Sequence, residues 1–194
     1  MPEPLTQLQH LVTAIHPLST GEWDAFAAIW NPFSAKRKTV LTVAGQNEKY
    51  LYFITEGVQH IYYADEHDRE ATILFTYAPS FGGVLDALLL QQPSRYFYEA
   101  LTPSQFLRTS YAELHPLMQR YPGIEVMIRQ GVTAALSGVL ERLVELQCFS
   151  SEEKFRTLLR RSPHLLGLVP HKYLANYLGI DATNFSKLLN SIRI

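Results

Sequence analysis

The sequence predicts an α+β protein in two parts, and three features carry that expectation. Apolar residues recur at helical spacing as far as Trp30, switch to an alternating period from Lys36, and return to steps of four and three from Ile124. The last stretch, Val169 to Ile194, reads as two short helices meeting at Gly179. In order, these give two N-terminal helices, a strand-rich body, one long helix and a terminal helix pair. Residues 1–149 form the first part, with the long helix over about 124–149, and residues 150–194 form the second.

Leu5, Leu8, Leu11, Val12 and Ile15 fall on one face of a first amphipathic helix, which Pro17 stops. Ser19 or Thr20 caps a second helix, where Glu22 and Asp24 suit the positive N-terminal end. From Lys36, the segments KRKTVLTV, KYLYFIT, VQHIYYA, EATILFTYA, YFYEALT and QFLRTS are rich in β-branched and aromatic residues, with Gly, Asn and Asp between them. Strands of this length and spacing predict a sandwich or barrel. YLYFIT and VQHIYYA are expected to pair as a hairpin cornered at Glu56 and Gly57, with an acidic loop from Asp65 to Glu70 at the next corner.

After Ser110, an N-cap candidate, the pattern turns helical, and Pro122 and Gly123 interrupt it. On the long helix Ile124, Ile128, Gly131, Ala135 and Gly138 make a coiled-coil seam. Interior glycine costs about 1 kcal/mol relative to alanine, so Gly131 and Gly138 point to close packing of another helix, expected to come from a second copy of the chain. Ser150 followed by Glu153 has capping-box spacing, Arg160 and Arg161 complement the C-terminal end of that helix, and Pro163 ends it. Pro170 suits the first turn of the terminal pair.

A chain of 194 residues that is 47% hydrophobic and 12% aromatic has enough apolar surface for a real core, which excludes disorder. Its net charge of -1 hides an asymmetry. Lys154, Arg156, Arg160, Arg161, Lys172, Lys187 and Arg193 outnumber Glu152, Glu153 and Asp181 in the second part, and acids outnumber bases in the first. A basic module on an acidic body is the pattern of a nucleic-acid binder. The single cysteine, Cys148, excludes an internal disulfide and a cysteine-rich metal site, and is expected to be a buried or half-buried hydrophobe. The seven histidines show no metal-ligand spacing, and most are expected at the surface or in caps. Asp86, Glu99 and Ser110 compose no nucleophile and base, so no enzyme is expected. Without an apolar run of membrane-spanning length, the chain is expected to be soluble and cytoplasmic, with no membrane partner.

In the terminal stretch, Leu174, Leu178 and Ile180 are apolar, Ala175 sits where two helices nearly touch, and Gly179 lies at the turn; Phe185 and Leu188 continue the pattern on the second helix. This motif resembles the helix-turn-helix of the Crp/Fnr family of bacterial transcription regulators. The order of elements resembles that family over essentially the whole chain, and PSFGGVLDALLLQQPSRYFYEALTPSQFLRTS looks like its phosphate-binding cassette with the strands that follow. The resemblance implies a cyclic-nucleotide-binding-like β-roll, a long dimerisation helix and a winged-helix DNA-binding domain, whose wing is apparently missing because the sequence ends at Ile194.

It also implies site residues. Asp181 would cap the recognition helix, and Thr183, Asn184, Ser186 and Lys187 would face the major groove beside Ala182, with Lys172, Arg160, Arg161 and Arg193 meeting phosphates. In the cassette, the family's Gly-Glu pair falls on Gly82 and Gly83, so the acid for a ribose hydroxyl is missing. Its Arg-Ser pair falls on Ser94 and Arg95, with the cation displaced by one residue, and Arg95 is either the phosphate partner or a solvated loop charge. Tyr96, Phe97 and Tyr98 alternate faces, so one or two of them enter the roll, and Phe97 joins Gly82, Gly83, Ser94 and Arg95 as a candidate effector residue. The expected partners are DNA, a second copy, RNA polymerase and a small effector other than cyclic AMP, with no cofactor identified. The other expectation is a ligand-sensing or protein-interaction module with degenerate DNA binding.

Overall fold

The computed structural model describes residues 3–67 and 69–191, so Arg193 lies outside the described residues. Helix α1 (Pro4–Ile15) buries Leu8 and Val12, and α2 (Thr20–Ala27) follows behind a capping box at Ser19. There the Ser19 hydroxyl accepts from Glu22 N, while the Glu22 carboxylate accepts from Ser19 N at 3.0 Å. Glu22 reaches further, accepting from Gly123 N at 2.8 Å.

Eight strands come next: β1 (Asn31–Ala35), β2 (Val40–Thr42), β3 (Tyr50–Glu56), β4 (Val58–Ala64), β5 (Glu70–Tyr77), β6 (Ser80–Gly82), then helix α3 (Leu85–Leu90), β7 (Phe97–Ala100) and β8 (Ser104–Ser110). They form two antiparallel four-stranded sheets, ordered β1-β8-β3-β6 and β2-β7-β4-β5. Three strand expectations are corrected. β3 and β4 do not pair as a hairpin; the chain passes from one sheet to the other at Gly57, whose φ of +93° and close neighbour Pro103 O, 2.5 Å from where a Cβ would sit, require glycine. The true hairpin is β4–β5, over the acidic loop. The segment from Lys36 opens as a turn, with Lys38 at φ +67°, and only Val40–Thr42 is strand. β1 was not expected, because Pro32 interrupts its pattern; as an edge strand it needs no N–H there.

Helix α4 (Tyr111–Arg120) carries a second capping box at Ser110. The long helix α5 (Pro122–Cys148) starts on Pro122, which opens this helix instead of separating it from the last. Beyond it come α6 (Ser151–Arg161) with a third capping box at Ser150, the short α7 (Leu165–Leu168), α8 (His171–Leu178) and α9 (Ala182–Ser191).

Alternation along β3 divides the core. Leu51 and Phe53 face outward onto α1, α2, α4 and the start of α5, where Leu8, Phe26, Trp30, Leu114 and Met127 close the first cluster. Tyr52 and Ile54 face into the roll with Ile61, Tyr98 and Phe106. A third cluster joins Phe155, Leu158, Leu174, Leu178 and Phe185 of the terminal helices to Val58 and Leu101, with Phe75 and Tyr77 packed against it. The terminal helices therefore share a core with the second sheet. No helix among the described residues is long and apolar enough to cross a membrane.

Candidate functional site

Three places follow from this frame: the roll interior, the free half of α5 and the exposed face of α9. The roll interior is filled by its own side chains. Tyr98 is fully buried, its hydroxyl 3.1 Å from Thr76 Oγ1, which in turn donates to Gln59 Oε1 at 3.0 Å; Gln59 Nε2 donates to Ser104 Oγ at 2.8 Å. Tyr52 and Phe106 stack around it, with the Tyr52 ring 5.7 Å from Tyr98 and 5.4 Å from Phe106. Burial pushes both phenols above the ordinary tyrosine range, so they stay neutral. A Cβ on Gly82 would overlap Tyr98 Oη, which makes this glycine the residue that lets the tyrosine lie across the roll.

Glu48 occupies the start of α3. Only 3% exposed, its carboxylate accepts from Val84 N at 3.2 Å, from Lys49 N at 2.9 Å and Tyr50 N at 3.2 Å, and from the Thr42 hydroxyl. The amide that a bound anion would use at this helix start is thus held by a carboxylate of the same chain. Gly83, at φ +110°, passes beside it.

The other predicted pocket residues are dispersed. Ser94 is buried but spent on its own loop, donating to Tyr96 O at 2.7 Å and accepting from Tyr96 N at 3.0 Å. Arg95 is exposed, as a solvated loop charge is. Phe97 is corrected: it points out of the roll and stacks on Tyr62 with ring centroids 5.0 Å apart, while Tyr98, one residue on, takes the inner face. The cation that does stand beside the inner aromatics is Arg108, held between the Phe33 ring (3.9 Å) and the Tyr50 ring (4.2 Å). Its sequence signal was its place two residues after inward-facing Phe106. Glu48 gave none, since it reads as a turn residue.

On α5 the expected seam is corrected at its start. Ile124 (0% exposed) and Ile128 (8%) pack into the first core cluster, so they are not free to meet another chain. Gly131 lies near Ile15, and only Ala135 and Gly138 are exposed. The apolar residues that stay exposed are Leu136, Val139, Leu140, Leu143, Val144 and Leu146. Val132, Leu136, Val139, Leu143 and Leu146 step by four, three, four and three, so the heptad is real but displaced from the glycine line. Cys148 is exposed, against the expectation of burial.

The terminal unit packs α6, α8 and α9 around Phe155 and Phe185, whose rings meet edge-on at 5.4 Å. Gly179 ends α8 in the left-handed conformation at φ +63°, and Asp181 Oδ1 accepts from Asn184 N at 2.8 Å at the start of α9. Leu174, Ala175 and Leu178 are buried, while Ala182, Thr183, Ser186 and Lys187 are exposed together on α9 and Asn184 is half-buried beside them. Lys172 stands apart, on α8 over the Tyr173 ring at 4.4 Å. Arg161 is paired with Glu145 at 2.6 Å, whereas Arg160 is exposed.

This unit is seated on the roll. Asn176 bonds the β5 edge as a neighbouring strand would, accepting from Thr72 N at 2.5 Å and donating to Glu70 O at 2.7 Å. Tyr173 meets His60 edge-on at 4.9 Å, Tyr177 meets Phe75 at 5.1 Å, and Tyr77 Oη lies 2.5 Å from Ser162 Oγ. Buried Arg142 of α5 pairs with Glu145 at 2.9 Å, lies 4.1 Å over the Tyr177 ring and donates to Tyr177 O, tying α5 to α8. His60 is the exception to the surface histidines expected. It is 1% exposed, stacks on Tyr62 at 4.6 Å, and neither ring nitrogen has a hydrogen-bond partner; burial lowers its pKa to about 4, and nearby Lys172 lowers it further. Among the described residues no group of three His, Cys, Asp or Glu is placed to hold a metal ion.

Residues 32–121 match the cyclic nucleotide-binding domain family. No curated protein sequence matches the chain. Among solved structures it is similar to FixK2 from Bradyrhizobium japonicum, at 14% identity and a TM-score of 0.76 over 84% of this chain and 83% of that one. It is also similar to a protein of Eubacterium rectale assigned to the Crp/Fnr family, at 15% identity and a TM-score of 0.70 over 89% and 82%. The c-di-GMP responsive global regulator CLP of Xanthomonas campestris aligns at 17% identity with a TM-score of 0.64 over 89% and 90%. At these identities what is shared is the fold: a cyclic nucleotide-binding-like roll within the arrangement of helices that these regulators have.

Proposed function

We propose that this chain is a Crp/Fnr-like, dimeric, DNA-binding transcription regulator whose roll does not take cyclic AMP in the usual way. The observation that carries the reading is the exposed face of α9, with Ala182, Thr183, Ser186 and Lys187 side by side on a helix capped by Asp181 and anchored by buried Phe185. Such a helix lies in a major groove with its N-terminal residues at base edges. Lys187 would donate to guanine O6 and N7, Asn184 would pair with adenine, and Thr183 would meet a phosphate or a thymine methyl. The exposed heptad of α5 supports pairing of two copies, which would present two recognition helices to half-sites about one helical turn apart. RNA polymerase is the partner such a regulator would act on.

The filled roll supports the second half of the reading. Tyr98 lies where a ligand would, and Glu48 holds the Val84 amide. A gel shift on selected oligonucleotides tests the first half: salt-sensitive binding that Lys187→Ala weakens is expected, and no binding at low salt refutes it. Calorimetry with cyclic AMP and cyclic GMP tests the second, with micromolar binding as the refuting result.

One observation favours a different reading, a sensing or interaction module whose DNA binding has degenerated. The reading face is small and carries one cation, Lys187, while α8 is committed to the roll through Asn176, Tyr173 and Tyr177. The same gel shift separates the two.

A further inference from the structure

A cavity of about 310 Å³ lies outside the roll, between α1, the β3–β6 sheet edge, α3 and the first half of α5. Its floor is made of Leu51, Leu88, Leu114 and Met127, each 0–4% exposed, and its rim includes half-buried Val132 and exposed Ala135. Ser80 is the one polar residue in the lining, and its hydroxyl is engaged, donating to Tyr77 O at 2.6 Å. No charged side chain lines it.

We propose that this cavity is a binding site for a small uncharged apolar molecule, a one- or two-ring aromatic or a short hydrocarbon. Volume, lining and depth each bear on the choice of occupant. A space of this size reaches the range of ligand pockets, and it is about twice the ~150 Å³ apolar cavity that takes up benzene. Water gains nothing there, since a buried water needs two to four polar partners and the one hydroxyl present is already bonded. A second copy of the chain does not fit the floor either: an α-helix is ~10–12 Å across, and the floor residues are closed to anything of that width. A slim apolar molecule is what remains. α5 supplies Ile128, Gly131 and Val132 to one wall, and at Gly131 the space is left by glycine, where a Cβ would find only Ile15 Cδ1, 3.9 Å away.

The site has a built-in reporter. Phe81 lines the cavity and stacks on Trp30, with ring centroids 5.9 Å apart. Titrating the full chain with bromobenzene, whose bromine quenches indole emission at short range, should therefore give saturable quenching that p-xylene reverses by competition. Val132→Phe, which fills the mouth, should weaken the quenching at least tenfold while leaving the far-UV circular dichroism unchanged. Should that variant fail to fold, Leu89→Phe, from the α3 wall, takes its place. Quenching that rises linearly without saturating, or that is equal in a folded filled variant, overturns the assignment.

Discussion

Acidification should loosen the terminal helices from the roll before it unfolds the protein, and His60 is the reason. The folded protein holds this imidazole neutral with a pKa of about 4, against 6.5 for the free side chain. A lowered histidine pKa means that the unfolded chain binds the proton first, so stability is complete above about pH 6.5 and is lost as pH falls toward 4. With ~1.4 kcal/mol per pKa unit, the loss is about 2 kcal/mol at pH 5 and levels near 3 kcal/mol below pH 4. The groups facing His60 are Tyr62 beside it, Glu99 across on β7, and Lys172 and Tyr173 on α8. Glu99 works the other way: burial raises its pKa, so its own contribution grows on acidification and trims the loss. The lowered carboxylates Glu22, Glu113 and Glu153 lose their contributions only as pH falls through the carboxylate range. The window from pH 6.5 to 5 therefore belongs mainly to His60. Denaturant unfolding of the protein and of His60→Phe, across pH 7.5 to 5, measures the difference; the variant's stability should be nearly flat where the parent falls by about 2 kcal/mol. Exchange at the Thr72 amide, bonded to Asn176, should quicken over the same interval in the parent alone. Parallel curves for the two proteins would refute the assignment.

Two further outcomes follow from geometry. Gly82→Ala drives a methyl into Tyr98 Oη and should destabilise the roll by about 1–3 kcal/mol in thermal unfolding, and Tyr98→Phe on that background should restore part of the loss by removing the oxygen that is struck. Leu140→Glu places a charge in the middle of the exposed apolar stripe of α5, at a residue 55% exposed; sedimentation should show the dimer replaced by monomer with the monomer fold intact, and an unchanged mass would remove α5 as the pairing surface.

The sequence made the fold legible where one local rule sufficed. Three capping boxes, at Ser19, Ser110 and Ser150, start helices where serine and a glutamate three residues on say they must, and Gly179 ends α8 in the left-handed conformation. It failed where two elements contest one residue. Alternation could not tell that β3 and β4 belong to different sheets, because Gly57 serves a hairpin and a corner equally well; the decision lies with Pro103 and Ser104, which approach from far along the chain. The α5 seam failed similarly. Ile124 and Ile128 fit a heptad, but the core claims the first half of that helix, and the surface stripe runs one position away, through Leu136 and Val139. At the candidate effector site a resemblance supplied positions, and packing reassigned them. Tyr98 took the inner face expected of Phe97, and Glu48 took the amide expected to meet a phosphate.

These reassignments bear on how the two parts communicate. In a roll that bound a ligand at the start of α3, binding would act on Val84 and Gly83; here that amide is bonded to Glu48, whose other oxygen is tied to Lys49 N and Tyr50 N at the head of β3. What varies is therefore more readily placed on the outside of the second sheet, where α8 is seated. That seat combines one uncompensated buried imidazole, two side-chain bonds to an edge strand and a buried ion pair reaching back to α5. Breaking any one member costs the others their geometry, because Tyr177 touches both Phe75 and Arg142, and Asn176 precedes it directly on α8. A change on α5, in its pairing or in the cavity along its first half, thus reaches the base of α9 through Arg142 and Tyr177 without passing through the closed interior of the roll.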